Sequence, residues 1–423
     1  MVKNKIKVGV AERIITPKES VPFGEVKWCG YSIGVHDDIF TKALFIEEGE
    51  KKFLLVISDV MLIFRQLVEN FRKEISKVTG LKENFIMIAA TQNHSAPAMY
   101  GGNGWELPNY KGSWEKWFDF YQKQLIEVTK EACSKTQEIK LKISQGKAEG
   151  IAGNRRPLSK TGKVIMTWHR PKKEEITDWG EEDSTVTLFR FDKKDGNPLA
   201  MVFHFNCHPN CAWATRKISS DFYGIACQKI KNVYPDTIPI FLNGACGDID
   251  PTKYMKIPKE VYNAPTAFEK GRDVDLVFND IERFGDILGN EILRIAEKGE
   301  EIFIEKIMIK SSFFHVKLRQ GAPVSVDTYL ELQAIALEDK IVFLGIPGEP
   351  FLKIGNEIKN RSPFPYTFII GHANGYSGYI PTANDYSKGG YGVGVFESPL
   401  EEGIGEKLIK ESLKLLEKLK LEQ

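Results

Sequence analysis

Residues 84–97 read NFIMIAATQNHSAP. The apolar run up to Ala90 has the length of a short buried strand. It gives way without a spacer to Thr91, Gln92, Asn93, His94, Ser95, Ala96 and Pro97. A strand that delivers polar side chains from its C-terminal end is how layered α/β proteins build their sites. Upstream, residues 40–46 and 52–58 are strand-like and flank Glu47, Glu48, Gly49 and Glu50, a hairpin signature. Residues 62–79 carry apolar side chains at three- and four-residue spacing, which predicts a helix. Downstream, residues 114–135 form a second amphipathic pattern and residues 139–147 alternate as a strand.

The same alternation continues to the end of the chain. Strands are expected at 184–191, 199–205 and 238–242, with helices at 221–233 and 277–298. Residues 302–316 read as extended, and 328–337, 340–344 and 366–371 as further strands. A closing helix over 405–418 sets Leu408, Leu415, Leu416 and Leu419 near one stripe, a core-facing pattern rather than a partner-binding one. The expected fold is therefore α/β, with layered mixed β-sheets flanked by helices. No linker divides residues 1–423, which read as a single domain with long loops at 248–275 and 371–394.

Composition narrows the function. The 423 residues are 42% hydrophobic, and 58 Lys and Arg nearly balance 57 Asp and Glu, leaving a net charge of +1. That balance gives no basic surplus for nucleic acid or an anionic membrane. The first residues lack the apolar centre of a secretion signal, and the longest apolar runs fall far short of the roughly 20 residues of a transmembrane helix. Six cysteines in a chain of this length are not a disulfide framework, so a cytoplasmic location is expected.

Three polar clusters follow predicted strands. The first is 91–97; the second runs from His204 through Cys207, His208 and Pro209, with Ser219, Ser220 and Asp221 beyond it. The third joins Pro347, Gly348, Glu349 and Pro350 to Asn374, Gly375, Tyr376, Ser377, Gly378 and Tyr379. His94, His208 and Glu349 are donors of the type a hydrolytic zinc takes. An HExxH motif is absent, because Phe205 follows His204. His208, beside the loop, is the better ligand and His204 the structural histidine. Gly30, Tyr31, Ser32, Ile33 and Gly34 match the G-x-S-x-G pattern, but no strand-to-helix turn surrounds them, so the match is read as accidental. Cys207 and Cys211 make a C-x3-C pair with no second pair, which argues against a structural zinc.

Taken in order, these clusters resemble the amidase domain of the neutral, non-lysosomal ceramidase family. Val8 to Ala11 with Ile15, Thr16 and Pro17 resembles its start, Gly34 to Asp37 its GIH segment, and Ser58 with Asp59 a strand end. Residues 91–97 resemble its THTHSGP signature, and Asn154, Arg155, Arg156 and Pro157 its NRSP turn. Cys207, His208 and Pro209 with Ser220 and Asp221 resemble its second-histidine region, residues 244–251 its N-x-G-D-V-S-P motif, and Pro347 to Glu349 its PGE. Asn374 to Tyr379, with Tyr386 and Tyr391, resemble its last tyrosine segment.

The resemblance implies hydrolysis of an N-acyl amide bond, an activity of sphingolipid metabolism, by zinc held on His94, His208, Glu349 and Tyr379. It implies further that Arg155 and Tyr391 stabilise charge on the substrate carbonyl, worth roughly 3–4 kcal/mol per donor. The zinc would lower the pKa of water toward neutrality, with Asp221 or His204 orienting His208. The family's C-terminal immunoglobulin-like domain is not expected in this chain. Two departures stand out. Gln92 occupies the place of the family's usual first histidine, leaving His94, and Asp250 replaces a serine that contacts the scissile amide. Asp250 would repel a developing oxyanion, yet it could accept a proton or bind a basic leaving group. The expected substrate is thus a small-molecule or lipid amide, not necessarily ceramide. Two other readings use the same fold: a cysteine hydrolase built on Cys246 or Cys207 with His204 or His94, and a non-catalytic binding homologue.

Overall fold

The computed structural model describes residues 6–24, 29–101, 104–256 and 274–422. Much of the long loop expected at 248–275 lies outside the described residues. The first sheet comprises β1 (Lys7–Ile14), β2 (Phe40–Glu48), β3 (Lys51–Ser58), β4 (Ile86–Ala90) and the edge strand β5 (Gln137–Glu138), in the order β4-β3-β2-β1-β5. The β2–β3 hairpin turns at Gly49, whose φ of 58° suits a residue without a Cβ. Helix α1 (Arg65–Thr79) carries the chain to β4, which pairs parallel with β3. It stops at Gly80, where a left-handed φ of 73° lets the amide bond back to Ser76 O at 2.8 Å. The helix starts at Arg65 rather than at residue 62, and residues 83–85 are a 3-10 turn before the strand proper.

The second sheet holds β6 (Lys140–Lys147), β7 (Thr185–Asp192), β8 (Pro198–Phe205), β9 (Ile238–Asn243) and β10 (Glu300–Ile302), ordered β9-β8-β7-β6-β10. Helix α2 (Ser113–Ser134) covers β1 and β2 of the first sheet, while α3 (Asp221–Val233) makes the parallel crossover from β8 to β9. Helix α4 (Val274–Ala296) packs on α3, β6 and β7. The third sheet is β11 (Ile307–His315), β12 (Tyr329–Leu337), β13 (Ile341–Gly345) and β14 (Tyr366–Ile370) in that order, with α5 (Leu352–Arg361) crossing from β13 to its parallel partner β14. Two further helices close the chain, α6 (Ala383–Lys388) and α7 (Ile404–Leu421). Leu408, Leu415, Leu416 and Leu419 of α7 are all buried, as their stripe predicts.

One face of each sheet contributes to a shared interior, where Leu44 and Leu55 meet Phe189, Val202, Ile335 and Phe368. The opposite faces are covered by helices, which accounts for strands buried on both sides. Three parallel pairs, β3–β4, β8–β9 and β13–β14, end together. Hydrogen bonds stitch their following loops: the Asn243 side-chain Nδ2 donates to Thr91 O (3.1 Å), and the amides of Gly371 and Gly247 donate to Asn243 O (3.0 Å) and Pro350 O (3.0 Å). A Cβ at Gly247 would lie 2.4 Å from the Glu349 carbonyl oxygen, so only glycine permits that approach. Among the described residues, no helix is long and apolar enough to cross a membrane.

Candidate active site

Four side chains from four loops meet where those strands end. Glu349 and Tyr379 face each other because Glu349–Pro350 and Tyr379–Ile380 form a two-residue parallel ladder. His208 follows β8, and its amide bonds Ile249 O at 3.0 Å. Its Nε2 lies 2.9 Å from Glu349 Oε2 and 3.4 Å from the Tyr379 hydroxyl. Gln92, two residues past β4, puts its amide nitrogen 2.7 Å from His208 Nε2 and donates to Glu349 Oε2 at 2.5 Å. All four are buried.

The orientation of His208 is set by a carbonyl. Its Nδ1 lies 3.0 Å from Ile249 O, which can only accept, so Nδ1 carries the proton and Nε2 presents a lone pair. Burial first, and then the charge of Arg155, push the His208 pKa down, against the pull of Glu349. Glu349 itself stays ionised: burial would raise it, but His208, His372 and Arg155 hold it below the usual carboxylate range. Its other oxygen accepts from Tyr376 O–H at 2.8 Å. Burial, followed by the Glu349 charge, keeps the Tyr379 hydroxyl protonated.

Arg155 closes one side. It donates from Nη2 to Gly247 O at 2.7 Å, lies 3.4 Å from His208 Nε2, and spans the rings of Tyr379 and Tyr391 at 5.4 and 5.5 Å. Tyr391 is 38% exposed and touches Tyr379 and Trp168 edge-on, so these aromatic rings form a rim between the centre and solvent. Asp250 is buried behind Arg155, its Oδ2 3.5 Å from Nη1, with Thr252 N donating to Oδ1 at 2.9 Å. The ring of His94 lies 5.9 Å from that of His208, centre to centre.

A family model described as the N-terminal region of neutral/alkaline non-lysosomal ceramidases matches residues 10–252. The chain belongs to that family. Neutral ceramidase A of Dictyostelium discoideum is 21% identical over 197 residues, a match covering 44% of this chain and 27% of that protein. The crystal structure of neutral ceramidase from Pseudomonas aeruginosa superposes with a TM-score of 0.79 at 16% identity, over 99% of this chain and 75% of that one. A ceramidase complexed with C2 gives 0.77, again at 16% identity, over 98% and 76%. At such identities the two structures establish a shared fold. His94, Arg155, His208 and Asp250 lie inside the family match, whereas Glu349, Tyr379 and Tyr391 lie beyond it.

In this ceramidase-family chain several expectations need correction. Neither Asp221 nor His204 orients His208; Asp221 accepts from the amides of Ala212 (3.0 Å) and Phe222 (2.8 Å), and the Ile249 carbonyl takes the orienting role. His204 instead lies 2.8 Å from Ile369 O, edge-on to Phe368. Cys207 and Cys246 are fully buried, and burial raises both thiols well above their ordinary value, so the thiolate a nucleophile needs is disfavoured. All six cysteines are free. The segment at residues 30–34 is not an elbow: Gly34–Val35 pairs with Lys217–Ile218, and Ser32 accepts from Val21 N.

Sequence reading missed Tyr376 as a partner of Glu349, and it missed His372. The signal was local: a histidine two residues past the end of a strand and two before Asn374. Gln92, Asp221, His372 and Asn374 all adopt a left-handed backbone, with φ of 66°, 55°, 53° and 62°. Non-glycine residues seldom take this conformation, and where they do they gather at functional sites.

Proposed function

We propose that this chain hydrolyses an amide (N-acyl) bond with the help of a divalent cation, zinc by donor chemistry, held by His208, Glu349 and Tyr379. The observation that carries the reading is the 2.9 Å contact between His208 Nε2 and Glu349 Oε2. With Nδ1 committed to Ile249 O, a neutral imidazole points a lone pair at a carboxylate. Two acceptors at that distance repel unless something positive lies against both. In the described structure the Gln92 amide fills this role weakly. Imidazole, carboxylate and phenol oxygen are zinc donors, at roughly 2.0–2.2 Å for the first two. Among the described residues no group of three or more His, Cys, Asp or Glu is gathered closely enough to hold an ion. The third donor in contact here is a tyrosine.

A cation so held would polarise the amide carbonyl and make water a stronger nucleophile. The remaining work belongs to the chain. Arg155 stands over Tyr379 and Tyr391 and is pinned at Gly247 O, a preorganised donor for charge growing on the carbonyl oxygen. Its ion pair with Asp250 keeps that carboxylate directed at the guanidinium, which answers the concern that Asp250 would oppose an oxyanion. Ile249 O fixes the ring of His208, and Tyr376 fixes Glu349. The aromatic rim of Tyr391 and Trp168 suits a small-molecule or lipid amide with an apolar portion.

Metal analysis and hydrolysis of N-acyl amides by purified protein, before and after chelation, test this. About one zinc per chain is expected, with activity lost on chelation and regained on adding Zn2+. Less than about half a zinc per chain, with undiminished hydrolysis after chelation, removes the cation from the mechanism.

A further inference from the structure

Tyr391 reaches the centre from a loop with little stiffness of its own. It follows α6 in the run Gly389, Gly390, Tyr391, Gly392, Val393 and Gly394. Gly389, Gly390 and Gly392 take φ of 70°, 83° and 87°, values that a Cβ disfavours. Glycine permits this path without enforcing it, because many other backbone conformations are open to it. A ring held 5.5 Å from that of Tyr379, with the Arg155 guanidinium over it, therefore needs an outside restraint.

Arg156 supplies one. Its Nη2 donates to Gly389 O at 2.8 Å and its Nη1 to Tyr391 O, so one buried, planar guanidinium bridges two carbonyls of the loop. The guanidinium lies over the Phe351 ring at 5.0 Å, and Phe351 packs in one apolar cluster with Tyr379 and Val393. The base of Arg156 is fixed. Its amide donates to Asn154 Oδ1 at 2.9 Å, Asn154 Nδ2 donates to Asp248 Oδ2 at 3.0 Å, and Gly153–Asn154 pairs with Ile249–Asp250. Consecutive arginines thus serve opposite directions, Arg155 toward Gly247 O and Arg156 toward the glycine loop.

We propose that Arg156 is a positioning residue, latching the glycine loop through Gly389 O and Tyr391 O so that the Tyr391 ring stays against Arg155 and Tyr379. This rests on the amide-hydrolase reading above and adds a residue that acts through Tyr391. A latch of this kind makes the effects of Arg156 and Tyr391 overlap, whereas a general contribution to folding would add to any change at Tyr391.

Steady-state hydrolysis of the N-acyl amide that wild type cleaves fastest, with Arg156→Met, Tyr391→Phe and the double variant, tests the latch. Arg156→Met should lower kcat by about 10- to 100-fold, with KM changed by less than about threefold. In the Tyr391→Phe background the same change should cost less than about threefold. Arg156→Lys, a milder change, should lose less, because one ammonium replaces a fork across two carbonyls, and its loss should vanish in the same background. Chymotrypsin should cut folded Arg156→Met after Tyr391 about tenfold faster than wild type. Wild-type kcat in Arg156→Met or in Tyr391→Phe, losses that multiply in the double variant, or unchanged cleavage after Tyr391 would each overturn the latch and leave the hydrolase standing. Wild-type protein that hydrolyses no amide overturns the proposed function, and this inference with it.

Discussion

His204 and His208 leave the same strand four residues apart, and both are buried and held neutral. His204 has its Nε2 on Ile369 O and borders a polar cavity of about 340 Å3 with Asp183 and Lys359. His208 has its Nδ1 on Ile249 O, which frees Nε2 for Glu349, Gln92, Tyr379 and Arg155. Which ring nitrogen meets a carbonyl decides which histidine can do chemistry. The cavity is lined by His204 and not by His208, so free volume is a poor guide to the reactive site here.

The contrast is most directly broken by removing one ring at a time. His208→Ala should abolish zinc binding and lower hydrolysis by roughly 10³-fold or more, about 4 kcal/mol of barrier, whereas His204→Gln should leave both near wild type. Loss of zinc in both variants, measured on folded protein, would show that the two histidines share one function. Next in size is Arg155→Met, expected to cost about 10²–10³-fold in kcat while zinc content stays at one per chain. A change confined to KM would mean that the guanidinium only binds substrate.

A pH series sharpens the comparison from the stability side. Burial, and then the charge of Lys359, depress His204 to about 3, below the 6.5 of an ordinary histidine. An unfolded chain takes up this proton as pH falls below about 6.5, while the folded chain resists until about 3. The stabilisation is complete above 6.5 and is lost as pH falls through that window, at about 1.4 kcal/mol per pH unit. The melting temperature of His204→Gln should therefore drop less between pH 7 and pH 5 than that of wild type. Identical slopes would show that His204 is already accommodated as a cation. The smallest effect is expected at Cys246, whose Sγ lies 3.5 Å from Gln92 Oε1: Cys246→Ala should keep hydrolysis within about threefold. Inactivation by that change would revive a thiol mechanism.

Much of the fold was legible because hydrophobic period reports local structure. Residues 221–233 coincide with α3, and the hairpin around Gly49 and the leucine stripe of α7 are where the pattern puts them. The errors are of two kinds: α1 begins three residues late, where Phe64 is extended and no side chain caps the helix, and α4 ends at Ala296, while the strand Lys7–Ile14 and the helix Leu352–Arg361 were not read at all and 302–316 is split between two sheets. Motifs marked the residues of the candidate site. His208, Glu349 and Tyr379 do converge, and Arg155 and Tyr391 stand beside them. The partners of those residues were not legible. Ile249 orients His208 through a backbone carbonyl, a group that every residue possesses and no side-chain pattern marks.

Sequence alone determined the elements, their alternation and the residue types at strand ends, because periodicity and polar breaks are properties of neighbours along the chain. Only the tertiary structure decided that Glu349 faces His208 across 141 positions, that Asp250 pairs with Arg155, and that His372 is buried without a partner. Those facts depend on parallel strands from three sheets ending at one edge, where residues remote in sequence share a volume too dry for water to satisfy them.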